Sequence, residues 1–144
     1  MSGYVESYRG QVLASECDLL GHMNIQFYIS RLSHAIWNMC YFVGMTPEEI
    51  KGSKRALATV QQESSYLAEL LAGDIIHMET AVLKASGKTI TFSSKLFNSA
   101  TGKAVLTNIS TVAYMDLEAR KAVPLTDLMR EKIKGLMIGA KDVQ

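Results

Sequence analysis

The densest set of reactive side chains in this 144-residue chain is the run Glu16-Cys17-Asp18-Leu19-Leu20-Gly21-His22-Met23-Asn24. Asp18 supplies a carboxylate able to attack an acyl carbon or to activate a water. Either route also needs donors for the carbonyl oxygen as it gains charge. Asp shortly before Gly is equally a common turn former. His22 could bond a substrate, orient Asp18 or simply fix the loop, and Asn24 could touch substrate or cap a helix. Glu63 is a second carboxylate, expected to share one strand face with Thr59, Gln61 and Ser65. If that face lines a cleft, Glu63 could position water; otherwise it is a solvated face. His34 and His77 read as non-catalytic, His34 falling with Arg31 and Asn38 off the apolar stripe of a helix. Ser15 and Cys17 adjoin the run without a Gly-x-Ser-x-Gly elbow, and no metal-ligand spacing, P-loop or dinucleotide fingerprint is present. No metal or cofactor is expected.

The bulk numbers suit one domain spanning residues 1–144 with one core. With 48% hydrophobic and 20% charged residues, the composition is that of a globular protein, and a net charge of +1 gives no general pull toward nucleic acid or an acidic membrane. Cys17 and Cys40 have no framework to join and read as reduced thiols. The start MSGYVESYRG lacks the pattern of a signal peptide, and no apolar run approaches the roughly 20 residues of a membrane helix. A cytoplasmic protein is expected.

The elements that must position these groups follow from periodicity. Tyr4 to Glu16 alternates as a strand. Tyr28, Leu32, Ala35, Ile36, Met39 and Val43 recur at helical spacing, predicting a long helix capped by Asn24 and closed at Gly44. Thr46-Pro47-Glu48-Glu49 opens a second, short helix with a capping box. Strands are then expected over Arg55 to Leu67, Asp74 to Ala85, Thr89 to Phe97 and Lys103 to Asp116, and a last helix over Asp127 to Met137 with Leu128, Met129, Ile133, Leu136 and Met137 on its apolar side. A long helix followed by strands in hairpin order predicts an α+β architecture, an antiparallel sheet of about five strands wrapped around a central helix.

The run from Asp18 to Asn24, followed by Tyr28, resembles the Asp-x-x-Gly-His-x-Asn-x-x-x-Tyr signature of the 4-hydroxybenzoyl-CoA thioesterase-like branch of the hotdog-fold superfamily. Tyr66-Leu67-Ala68-Glu69 with Gly73-Asp74, and the segment from Asp116 to Leu125, are similar to further family stretches. The resemblance implies a hotdog fold and hydrolysis of an acyl-CoA thioester to free acid and CoA, with Asp18 as nucleophile or general base. It implies an oxyanion site of backbone amides from His22 to Ile25, Ile25 matching the family's amide donor. Many relatives carry a second Asn at that position. Asp18, His22 and Asn24 from the motif, with Glu63 from its polar strand face, are the candidate catalytic residues. Gly21, Met23, Ile25, Tyr28 and Thr59 are candidates for substrate binding.

Hotdog dehydratases are excluded because their proline-containing motifs cannot be built from Pro47 and Pro124. A non-catalytic acyl-CoA-binding protein and a specialised betainyl-CoA thioesterase remain alternatives. The latter needs a site for a quaternary ammonium, for which Tyr28, Trp37, Tyr41 and Tyr66 are available. Lys51, Lys54 and Arg55 are candidate cations for the CoA moiety. A five-stranded sheet around one helix leaves an open strand edge. Hotdog relatives close it by self-association, so a homodimer or homotetramer with Thr59 or Glu63 supplied by the neighbour is expected.

Overall fold

The computed structural model describes residues 3–139. Its main helix, α1 (Ile25–Phe42), begins at Asn24, whose side chain accepts the Gln26 amide and so satisfies a first-turn donor. The expected stripe is its buried face: Tyr28, Leu32, Ala35, Ile36 and Met39 are all less than 9% exposed. Gly44, at φ +97°, takes the left-handed turn that ends it. A short α2 (Pro47–Ser53) follows, capped by Thr46, which accepts the Glu49 amide at 3.1 Å.

The strands are β1 (Val5–Gln11), β2 (Arg55–Tyr66), β3 (Ile75–Ala85), β4 (Thr89–Asn98) and β5 (Lys103–Asp116), in the antiparallel order β1-β3-β4-β5-β2. A two-residue β6 (Lys121–Ala122), not foreseen, pairs with the end of β5. The expected first strand ends early, because Ala14–Glu16 forms a 3-10 turn. The last helix, α3, is also shorter than expected, Asp127–Lys134. Beyond it Met137 bridges to Val82 as extended chain, and both Leu128 and Met137 are exposed, leaving Met129, Ile133 and Leu136 as the packed set.

The face of the sheet toward α1 carries Ile76, Met78, Val82, Ile90, Phe92, Leu96, Leu106, Val112 and Tyr114, each at most 2% exposed. Burial of side chains this large against the helix stripe is the main term holding sheet to helix, each worth about 1.5–3 kcal/mol. Across the middle of this face runs a row of small polar side chains, one per strand: Ser7, Thr80, Ser94, Asn108 and Ser64, the last four in direct register. Ser7 and Thr80 meet at 2.8 Å, Thr80 and Ser94 at 2.8 Å, and Asn108 donates to Ser64 Oγ at 2.8 Å. The row separates the two apolar clusters of the core.

Strand β2 departs from regular alternation. Thr59 pairs with Val112, but Gln61 pairs with Thr111, so Val60 is an extra, bulged residue. The bulge reverses the faces beyond it. Thr59 lies on the α1 side with Leu57 and Tyr66, whereas Gln61, Glu63 and Ser65 lie on the opposite side. The expected shared face of Thr59 and Glu63 is therefore corrected. The far edge of β2 pairs with no strand among the described residues, and Ala58 to Glu63 are all exposed.

Candidate active site

Asp18 sits in the loop between the 3-10 turn and α1. The loop is closed by the Gly21 amide on the Asp18 carbonyl at 2.9 Å and by the Asp18 amide on the His22 carbonyl at 3.2 Å. Gly21, at φ +86°, makes that tight return possible. The exposed Asp18 side chain accepts two bonds: Asn24 Nδ2 to Oδ2 at 2.8 Å and the Leu20 amide to Oδ1 at 2.9 Å. The Asn24 bond first, then the Leu20 amide, and to a smaller extent His22, outweigh the slight desolvation and hold the carboxyl below its ordinary pKa of 3.8. The group is an oriented carboxylate with lone pairs to spare.

The backbone amides around it are mostly spent. Met23 N donates to Leu70 O, Asn24 N to Glu16 O, Gln26 N to Asn24 Oδ1 and Phe27 N to Asn24 O, at 2.8–3.1 Å. Between Met23 and Phe27 only the Ile25 amide is left without an acceptor among the described residues. It lies in the first turn of α1, where the helix dipole also favours negative charge.

These groups face a pocket of about 520 Å³ lined by Asp18, Leu20, His22, Met23, Asn24, Ile25, Tyr28, Tyr66, Leu67, Ala68 and Glu69. Six of the expected residues thus come together: Asp18, His22, Met23, Asn24, Ile25 and Tyr28. Gly21 shapes the loop without lining the pocket. Thr59 and Glu63 do not join them within one chain. Thr59 lines a separate cleft between α1 and β2 with Trp37, and Glu63 opens onto the outer sheet face. Lys54 and Arg55 lie at the opposite end of β2 from Tyr66, near Glu118 at 3.7 Å and Asp116 at 3.9 Å. His34 and His77 lie away from the pocket: His34 packs on Tyr8, and His77 stacks on Phe97 and bonds Ser99.

The second wall, Tyr66 to Glu69, was seen in the sequence only as a supporting stretch. The structure ties it to the loop. Met23 bonds Leu70, and the Tyr28 hydroxyl donates to the Ala68 carbonyl at 3.4 Å. Glu69 Oε1 stands 3.6 Å from His22 Nε2. Burial, and next the charge of Glu69, raise the Tyr28 phenol above its ordinary value, so it stays a neutral donor. Tyr28 meets Tyr66 edge to face at 5.3 Å.

Residues 12–133 match the family profile of the thioesterase-like superfamily. The chain belongs to that superfamily. Among curated proteins it is similar to the betainyl-CoA thioesterase of Pseudomonas aeruginosa, 21% identical over 94% of this chain and 86% of that protein. Solved structures superpose closely. A hypothetical protein of Staphylococcus aureus, solved in complex with CoA, gives a TM-score of 0.84 at 18% identity, over 93% of this chain and 84% of that one. The 1,4-dihydroxy-2-naphthoyl-CoA thioesterase of Synechocystis gives 0.79 at 16% identity, over 91% and 96%. The hotdog fold expected from the Asp18 motif is thus the fold of this superfamily member. No helix among the described residues is long and apolar enough to cross a membrane.

Proposed function

We propose that this chain hydrolyses an acyl-CoA thioester to the free acid and CoA, with Asp18 as the reacting carboxylate. One observation carries the reading: an oriented, ionised carboxylate shares a pocket with the Ile25 amide, which is unspent among the described residues at the start of α1. A thioester carbonyl oxygen bonded to the Ile25 amide would gain charge where the helix end favours it. Removing one such donor typically costs about 3–4 kcal/mol of transition-state stabilisation. Asp18 then either attacks the carbonyl carbon, expelling CoA thiolate and leaving a mixed anhydride for water to cleave, or takes a proton from the attacking water. Asn24 orients the carboxylate in both routes, and His22 borders the same space. Membership of the thioesterase-like superfamily supports the reaction class, and a cytoplasmic setting fits the substrate. The test is release of free thiol from a panel of short, long, aromatic and betainyl acyl-CoAs. Tight CoA binding with no turnover on any of them would favour the non-catalytic binding protein instead.

The complete site is proposed to form between two copies. The open edge of β2, with six consecutive exposed residues from Ala58 to Glu63, offers backbone groups to an antiparallel copy of itself. Such pairing carries the partner's Arg55-to-Thr59 half alongside Tyr66, which lines the pocket. Of the two expected neighbour residues, Thr59 shares the face of Tyr66 and is the better placed; Glu63 faces away. A dimer of dimers would give the homotetramer.

A narrower substrate reading is betainyl-CoA, favoured by the edge-to-face Tyr28–Tyr66 pair beside the Glu69 carboxylate in one pocket. Trp37 and Tyr41 line a different cleft and take no part. Loss of betainyl-CoA turnover in Tyr66→Ala, with other acyl groups still cleaved, would support it.

A further inference from the structure

Behind the Asp18 loop, outside its pocket, a buried ion pair joins Glu16 to Arg31. Arg31 Nη2 lies 2.6 Å from Glu16 Oε1, with the side chains 7% and 8% exposed. The same Oε1 accepts the Leu13 amide at 2.8 Å, and Arg31 Nη2 also donates to the Gln11 carbonyl at 3.2 Å. The guanidinium stands 5.7 Å from the centre of the Tyr8 ring. One carboxylate and one guanidinium thus connect the end of β1, the 3-10 turn and the middle of α1. Arg31, off the apolar stripe of α1, is nevertheless buried.

The link reaches the reacting group in two further steps. The Glu16 carbonyl accepts the Asn24 amide at 2.8 Å, and Asn24 Nδ2 holds Asp18 Oδ2 at 2.8 Å. In the turn Ala14–Glu16, Glu16 is the only buried residue. The turn's own residues offer no apolar anchor, and the Glu16 carboxylate is its side-chain attachment to the body of the protein, beside the backbone bond from Glu16 to Asn24. The arrangement is poor as a source of stability. Both charges lose their water, Arg31 Nε is buried with no acceptor among the described residues, and apolar side chains of similar volume commonly serve as well or better. What the pair supplies is direction, because charged, multiply bonded groups tolerate little displacement.

We propose that Glu16 and Arg31 are a positioning pair that holds Asn24, and through it Asp18, in the orientation hydrolysis requires. This rests on the acyl-CoA hydrolase reading above. It predicts that the site can lose its geometry while the fold stays intact.

The test is the double variant Glu16→Gln/Arg31→Met, which removes both charges at similar volume. Its melting temperature should stay near that of the wild type. Its kcat should fall at least about 10-fold with KM little changed, since small misplacements of reacting groups cost up to ~100-fold. Arg31→Lys, which keeps the charge, should retain more of kcat than Arg31→Met. Amide hydrogen exchange gives a readout independent of turnover: exchange at Asn24 should quicken at least about 10-fold while the core strand amide of Phe92 is unaffected. Wild-type kcat together with wild-type Asn24 protection in the folded double variant would overturn the proposal. If the double variant does not fold, Glu16→Asp, which withdraws the carboxylate by one methylene, is read against the same two outcomes. A wild type that cleaves no acyl-CoA would sink the hydrolase reading instead, and Asn24 exchange would still decide whether the pair holds the loop.

Discussion

Asn24 serves Asp18 and helix α1 with the two ends of one amide: Nδ2 donates to Asp18 Oδ2 at 2.8 Å while Oδ1 accepts the Gln26 amide at 3.1 Å. The two roles weighed for Asn24 in the sequence, cap and site residue, are carried by a single side chain. The two can be separated. Asn24→Asp keeps the capping oxygen but sets a like charge against Asp18, so it should melt near the wild type and lose activity. Asn24→Ala should lose about 1 kcal/mol of stability with the cap, in addition to activity. Thermal melts and kcat measured side by side check the split; equal activity in both proteins with the wild type would remove Asn24 from the site.

Asp18→Asn should keep the fold and lower hydrolysis by about 10²–10⁴-fold or more, because the amide has neither the charge to attack nor the basicity to activate water. Circular dichroism establishes the fold, and thiol release measures the rate. A folded variant with wild-type turnover would exclude Asp18 as the reacting carboxylate.

The acid limb of kcat/KM should reflect Asp18. Its pKa is lowered, so the reactive anion persists below the usual value of 3.8 and activity is lost only as pH falls through the depressed value. His22 and Glu69 border the same pocket, so the limb should be followed in Glu69→Gln as well. Asn24→Ala removes the largest cause of the depression and should move the acid limb upward. An unmoved limb in that variant would separate the pH profile from Asp18.

Self-association through β2 should give twice the chain mass, or four times, by light scattering. Mixing Asp18→Asn with a Thr59 variant that is inactive on its own should restore about a quarter of sites under random two-fold pairing. A fully active monomer would refute the shared site.

Much of this was legible in the chain. The 3.6-residue stripe of α1, the Asn24 cap and the Asp18-to-Asn24 run identified the helix, the loop and most of the pocket, because each is encoded within a few residues. The misses are long-range. Thr59, Gln61, Glu63 and Ser65 alternate in the sequence whether or not a bulge intervenes, so nothing local announces that Val60 turns Glu63 to the other face. Arg31 sits off the apolar stripe, and partners far back along the chain, Glu16 fifteen residues earlier with the Gln11 carbonyl and the Tyr8 ring, draw it inward. Glu69 enters the pocket because Met23 and Leu70 pair across the loop, a contact that no periodicity records.

The row of Ser7, Thr80, Ser94, Asn108 and Ser64 gives the sheet a means of counting. Apolar side chains are forgiving partners: a strand sliding by two residues would restore alternation and exchange one Met or Leu for another at small cost. Buried hydroxyls and an amide are not, since each finds its partner only when its own strand is in step with the neighbour, and an unpaired one costs about 1–3 kcal/mol. A slip of β3 therefore breaks a bond on each side of it, and a slip of β1, β4, β5 or β2 breaks the one bond that strand makes within the row. The row works as a combination lock on strand registry, with its tumblers between β1 and β3, β3 and β4, and β5 and β2. The Tyr66 end of β2 meets the Asp18 loop in that one alignment.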